Sequence, residues 1–355
     1  MNFLSDNSAG IADRIITAIT AANHGVAVAY SEDVWTRSFE KKISEIFECE
    51  TAAYTMVTGT AANSLALAAV TPPHGAILCH QDAHIYIDEA GAPEFYTHGA
   101  KLIPLPGDHG KLDVAVMEAA LVRYAEKSVH QVVPTVISIT QPTEWGTCYS
   151  VDEIQAISEF ARRENLALHM DGARFANALS HLGCTPAEIS WQTGVDILSL
   201  GVSKNGAMAA EAVVFFDSKM TAGIEASRKR AGHLVSKARF VAAQFCAMLE
   251  DNYWLELSSH ANEMAGSLAR ELEQIGEVEL VAPVEANLVF ARLPSRQHAT
   301  VLKDLGARFY VWVDEAKPIL RLVCSFSTTP DDISRFATAV RAVLPAPAQA
   351  DRRTS

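Results

Sequence analysis

Lys204 stands in the run Val195-Asp-Ile-Leu-Ser-Leu-Gly-Val-Ser-Lys-Asn-Gly206, where an apolar stretch gives way to a loop bracketed by Gly201 and Gly206. The stretch reads as a short buried strand, so the lysine lies just past a strand end. Desolvation there favours the neutral amine, the form that adds to a carbonyl to give an imine. For Ser203-Lys204 alone, a solvated surface lysine is the plainer reading. A second run, Leu166-Ala-Leu-His-Met-Asp-Gly-Ala-Arg174, changes that. Leu166 to Met170 reads as another buried strand, with Asp171 at its end, Gly172 in the turn and Arg174 entering the next helix. Ligands of open α/β sheets bind outside the carboxyl ends of the strands, so Asp171 and Lys204 can face one pocket. The pair suits pyridoxal phosphate, which needs a lysine for its aldehyde and a carboxylate that keeps its pyridinium nitrogen protonated.

Other residue types extend this chemistry. Thr58-Gly-Thr-Ala-Ala-Asn63 follows a strand expected over 52–57 and opens an alanine-rich helix. Unpaired N–H groups and the positive end of the helix dipole make Gly59 and Thr60 a place for the cofactor phosphate. His80 and His84, with Asp88 and Glu89 nearby, would suit a metal on a helix. That segment directly follows a strand at 76–79 and lacks a clear third ligand, so no metal is expected. An imidazole at His84 could instead act on a substrate hydroxyl. Arg321 stands inside an apolar strand, where a guanidinium needs an anionic partner, and a carboxylate matches its planar fork. Arg228-Lys-Arg-Ala-Gly-His233 gathers three cations, a pattern that usually marks a solvated face.

The elements that must position these groups alternate in type. Helical patterns cover Ile11 to Ile19, preceded by a possible cap at Ser5-Asp6-Asn7-Ser8, then 34–47, 111–127 and 151–165. Strand patterns cover 132–140 and 211–216, and Gln141-Pro-Thr-Glu-Trp-Gly146 makes a strand-end loop beside the cofactor. The helix 151–165 completes a βαβ unit leading to Asp171. Beyond a long helix ending near Ile275, strands at 278–281, 288–293 and 320–326 alternate with helices at 299–305 and 333–343. The expected architecture is therefore α/β, with a large cofactor domain over 1–250 built on a mostly parallel sheet. A smaller α/β lobe covers 251–344, and the tail 345–355 is expected to be disordered.

Composition bounds the partners. At 355 residues, 49% hydrophobic and 20% charged, the chain can bury a sizeable core. Twenty-nine basic against 42 acidic residues leave a formal charge of −13, which argues against nucleic acid or an anionic membrane as partner. Six scattered cysteines without Cys-x-x-Cys read as reduced thiols. With no basic segment followed by an apolar one at the start, a cytoplasmic protein is expected.

Together, Ser5-Asp6-Asn7, Thr58-Gly-Thr-Ala-Ala-Asn63, Ala83-His84 through Glu89-Ala-Gly91, His169-Met-Asp-Gly-Ala-Arg174, Ser203-Lys-Asn-Gly206 and Arg321-Leu-Val-Cys-Ser-Phe326 resemble the low-specificity L-threonine aldolases and phenylserine aldolases. These are fold type I pyridoxal phosphate enzymes of the aspartate-aminotransferase-like superfamily, and the likeness spans nearly the whole chain. It implies a large transferase-like domain and cleavage of L-threonine, L-allo-threonine or L-phenylserine to glycine and an aldehyde. It also implies a homodimer or homotetramer with active sites at the subunit interface and residues 1–30 at that interface. Lys204, His84, His130 and Asp171 would be catalytic, with His84 stacked on the pyridine ring. Gly59, Thr60, Asp171, Arg174, Ser203 and Lys204 would hold the cofactor, with Lys229 or Arg230 reaching a neighbouring subunit's phosphate. The Gly-Gly-Gly carried near that position by many members is absent, which leaves the choice between Lys229 and Arg230 open. Ser5, Tyr30, Arg174 and Arg321 would meet the substrate, although Ser5 serves equally as a helix cap. Alternatives are a β-eliminating pyridoxal phosphate lyase, a metal-dependent lyase using His80 and His84, and a non-catalytic cofactor-binding protein.

Overall fold

The computed structural model describes residues 1–124, 128–313 and 315–344. A seven-stranded sheet has the order β1-β7-β6-β5-β4-β2-β3. Its strands are β1 (Ala52–Met56), β2 (Gly75–His80), β3 (Lys101–Leu105), β4 (Val133–Thr140), β5 (Ala167–Gly172), β6 (Ile197–Gly201) and β7 (Glu211–Phe215). All pairings are parallel except those of β7, which runs against β6 and β1. Every residue of β2, β6 and β7 is buried, as expected where helices cover both faces of a sheet. The helix Val151–Arg163 that returns the chain from β4 to β5 starts at a capping box formed by Ser150 and Glu153.

A second sheet, ordered β10-β11-β9-β8, builds the smaller lobe from β8 (Glu279–Leu280), β9 (Leu288–Arg292), β10 (Tyr310–Val313) and β11 (Ile319–Val323). All its pairings are antiparallel. The helix Tyr253–Glu273 joins the lobes: Trp254 and Leu257 enter the large core, whereas Leu268 and Leu272 enter the small one.

The amino terminus departs from the expected division. Asn2 bridges Arg308, Phe3 N–H donates to Arg308 O at 2.8 Å, and the Phe3 ring lies 5.1 Å from that of Phe336. The first residues thus pack with the small lobe. Ser5 caps only the short turn Asp6–Ser8, while the helix Asp13–Ala22 begins after Ala12 with no side-chain cap. The helix expected over 111–127 is Val114–Leu121, followed by a 3₁₀ turn at Val122–Tyr124, and 125–127 lie outside the described residues. So does the tail 345–355. Two strands escaped the sequence patterns: β3, an edge strand interrupted by Pro104, and the short β10.

Candidate active site

The sheet's polar edge gathers the chemistry. Asp171 lies one residue before the end of β5 and is buried; its Oδ2 accepts from Asn63 Nδ2 at 2.8 Å and its Oδ1 from Ala173 N–H at 2.9 Å. Close packing explains Gly172: a Cβ there would sit 2.7 Å from Leu198 Cδ1 and 2.9 Å from Ser199 O. Lys204 follows β6 in the turn Ser203–Asn205 and is half-buried. A Cβ on Gly201 would stand 2.9 Å from Ala173 Cα and 3.0 Å from Ala173 O, besides 2.6 Å from Oε2 of Glu211 on β7, so only glycine fits at the end of β6. Burial raises the Glu211 carboxyl to about 7, opposed by its hydrogen bond to Ser203 and by the Lys204 charge.

The helix Gly59–Val70 opens toward the same edge. Thr58 Oγ1 accepts from Ala61 N–H at 3.2 Å and Thr58 O from Ala62 N–H at 3.1 Å. The Gly59 and Thr60 N–H groups have no acceptor among the described residues, which leaves two donors at the positive helix end. One turn on, Asn63 Nδ2 donates to both Asp171 and Glu89 Oε1, the latter at 2.9 Å. Glu89 Oε1 in turn meets His84 Nδ1 at 2.8 Å. That bond raises the His84 pKa against the opposing effect of burial, and burial raises Glu89 as well. A chain of three hydrogen bonds therefore runs from His84 through Glu89 and Asn63 to Asp171. His84 Nε2 has no partner among the described residues.

The opposite wall carries two arginines. Arg174 Nε donates to Asp6 Oδ2 at 2.6 Å and its Nη2 to Asp6 Oδ1 at 3.0 Å, with both residues buried. Removing one member of such a pair strands a buried charge, at a cost of roughly 3–5 kcal/mol. Burial would lower the Arg174 pKa, but the Asp6 carboxylate outweighs it and holds the group higher. Arg321, on β11, has its guanidinium 5.7 Å from the centre of the Trp312 ring. Its Nε is buried without a hydrogen bond, and it forms no ion pair among the described residues. Burial and then the charge of Arg174 lower its pKa.

This donor set fits pyridoxal phosphate. Asp171 is a buried carboxylate bonded only to amides, so a protonated ring nitrogen would complete it. Lys204 lies at the same edge, and the free Gly59 and Thr60 donors suit a phosphate.

A family model described as beta-eliminating lyase matches residues 2–295. The chain is 40% identical over 345 residues to the low specificity L-threonine aldolase of a Pseudomonas species, covering 97% of this chain and 98% of that one. The chain belongs to the beta-eliminating lyase family. A second low specificity L-threonine aldolase, from Pseudomonas aeruginosa, is 40% identical over 343 residues, 96% of this chain and 97% of its own. The solved Leishmania major threonine aldolase aligns at a TM-score of 0.90 with 29% identity, over 97% of this chain and 99% of that chain.

Within this family member, the structure brings together Lys204, Asp171, His84, Ser203, Gly59, Thr60, Arg174 and Arg321. Ser5 joins their rim, its Oγ donating to Asp6 Oδ1 at 3.2 Å. His130 does not join them. It is exposed in the turn that leads into β4, at the amino end of a strand whose carboxyl end, Thr140, pairs with Asp171. A single chain therefore places His130 at the opposite sheet edge from Lys204. Lys229 and Arg230 end the exposed side of the helix Ile224–Arg230, with Lys229 Nζ 4.6 Å from the centre of the exposed Tyr30 ring. The third cation of that run is not solvated: Arg228 is buried and donates to Thr55 Oγ1 at 2.8 Å and Ser31 Oγ at 3.0 Å. His80 is bonded on both ring nitrogens, Nδ1 accepting from Asp82 N–H at 3.0 Å and Nε2 facing Gly107 O at 3.1 Å. Asp6, Asn63, Glu211 and Asn287 were given no site role from the sequence, and Glu89 entered only as a neighbour of the histidine pair weighed as a metal site. Asn63 carried a signal, as a polar residue within an otherwise apolar buried helix face.

Proposed function

We propose that this chain is a pyridoxal-phosphate-dependent aldolase that cleaves the Cα–Cβ bond of L-β-hydroxy-α-amino acids to glycine and an aldehyde. Low-specificity L-threonine aldolases at 40% identity along its length support the activity. The observation that carries the substrate class is Arg321, a desolvated guanidinium with no ion-pair partner among the described residues, near enough to Arg174 and Asp6 for their charges to act on it. An amino acid's carboxylate supplies that partner. Bound at Lys204, the cofactor supplies the ring that withdraws electrons from Cα. Asp171 keeps the ring nitrogen protonated. Arg174 and Arg321 hold the carboxylate, restricting the rotation that decides which Cα substituent can leave. His84 takes the β-hydroxyl proton on Nε2, its Nδ1 proton held by Glu89.

Exposed Val26, Val28, Tyr30, Tyr86, Ile87 and Phe95 favour a homodimer or homotetramer with residues 1–30 at the subunit interface, which would bring Tyr30, His130 and Lys229 or Arg230 to a neighbour's site. Sedimentation velocity tests the assembly. Aromatic Trp145, Phe290 and Trp312 beside Arg321 favour acceptance of phenylserine as well as threonine. Free thiols at all six cysteines suit the cytoplasm. No helix among the described residues is long and apolar enough to cross a membrane. The deciding experiment is product analysis with threonine and phenylserine: glycine with acetaldehyde or benzaldehyde is expected, whereas ammonia and a 2-oxo acid would move the protein to β-elimination.

A further inference from the structure

The two arginines differ in one respect: Arg174 has an ion-paired carboxylate, and Arg321 has none among the described residues. Asp6 grips Arg174 along the Nε and Nη2 edge, which leaves the Nη1 and Nη2 edge free for a second carboxylate. Asp6 is itself fixed. Asn287 Nδ2 donates to Asp6 Oδ2 at 3.1 Å and to Cys324 O at 2.7 Å, tying the carboxylate to the small lobe, and Ser5 Oγ donates to Oδ1. The charge of Lys204 reaches Asp6 as well, so this contact belongs to the active site. Within bonding distance the clamp thus holds two guanidinium charges and one carboxylate. Glu144, Asp88 and Asp171 act on it only through space, without a hydrogen bond to either arginine.

We propose that Asp6 is a positioning residue that turns the Nη1 and Nη2 edge of Arg174 toward the substrate, and that its charge matches the clamp to a singly charged acid group. The inference rests on the aldolase reading above, in which the two arginines hold the α-carboxylate. Losing the Asp6 charge makes the clamp more positive by one unit, and a doubly charged group would gain relative to a carboxylate.

The test titrates cofactor-loaded wild type and Asp6→Asn at pH 8 with glycine and with aminomethylphosphonate, whose acid group is doubly charged, following the cofactor's visible absorbance. Glycine affinity should fall about tenfold or more in Asp6→Asn. The preference for glycine over the phosphonate should fall by about the same factor, while cofactor affinity stays unchanged. Equal weakening of both ligands would leave Asp6 a purely structural tie and overturn the proposal. Asp6→Glu keeps the charge but displaces it: weaker glycine binding with the preference retained is expected, and glycine binding equal to wild type overturns the positioning role. If Asp6→Asn does not fold, Asp6→Glu decides alone, and a lost preference there overturns the charge match. Wild-type protein that holds cofactor but does not respond to glycine would instead sink the aldolase reading, and the inference with it.

Discussion

On the cofactor side of the pocket, Asp171, Asn63, Glu89 and His84 are joined by three hydrogen bonds of 2.8 to 2.9 Å, whereas on the side facing the small lobe Arg321 keeps a buried Nε without an acceptor. The first group is wired before anything binds, so its dipoles need little rearrangement to hold a charged ring. The second holds a cation with no hydrogen-bonded carboxylate among the described residues, so an arriving anion relieves its desolvation. Cofactor and substrate therefore meet walls of different kinds: on one the four side chains are already linked, with Asn63 Oδ1 and Glu89 Oε2 left over, and on the other a cation meets its hydrogen-bonded partner in the ligand.

The most severe disruption should come from the wired side. Lys204→Ala is expected to lower turnover more than about a thousandfold while leaving its neighbours' hydrogen bonds intact. Borohydride reduction of the loaded variant should fix no cofactor to the chain; retention of a reducible link would mean that another lysine serves. Next in size is the open side. Arg321→Ala should weaken glycine binding by roughly 1.5–3 kcal/mol, the worth of a charge-assisted contact, with cofactor affinity unchanged. Equal losses for glycine and cofactor would erase the distinction between the two walls.

Glu89→Gln sharpens the comparison further by testing whether the wiring tunes the base. The Glu89 hydrogen bond raises the His84 pKa, and a base must be deprotonated to act, so it sets the acid limb of kcat/KM higher than an isolated histidine would. The amide variant should move that limb to lower pH. A limb that stays in place would detach Glu89 from His84.

The smallest effect concerns Glu211. Its folded pKa, about 7, lies above the ordinary 4.5, so folding favours its protonated form. Its contribution is fully present below pH 4.5 and is lost as pH rises through 7. Apo protein carrying Glu211→Gln should therefore match wild type at low pH and overtake it by roughly a few degrees in Tm above pH 7. Asp171 and Lys204 face the same carboxyl and are present in both proteins. Parallel melting curves from pH 5 to 8 would show that Glu211 is solvated after all.

How much of this was legible in the sequence depends on how local the cause is. Lys204 and Asp171 were readable because each follows an apolar, branched run that can only be a buried strand, with a glycine marking its end. Arg321 was readable for a related reason, a charge inside an apolar strand. The Asp6–Arg174 pair was not, since 168 residues separate its members. The same Ser5-Asp6-Asn7-Ser8 cluster looked like a helix cap, because polar residues before a helix serve either role until the distant partner is known. His130 shows the converse: resemblance nominated it, but its place ahead of β4 puts it at the amino edge of the sheet within one chain. Arg228 was missed because three adjacent cations look alike, and only the helix register turns one of them inward.

Phe3 and Asp6 lie three residues apart, so the chain between them spans at most about 10 Å. One end is held by Arg308 and Val323 of the small lobe, the other by Asn287 of that lobe and by Arg174 of the large domain together. This is a short leash between the two bodies that carry the two arginines. A link this short limits how far the two bodies can slide or part, and with it how far apart the two arginines can stand.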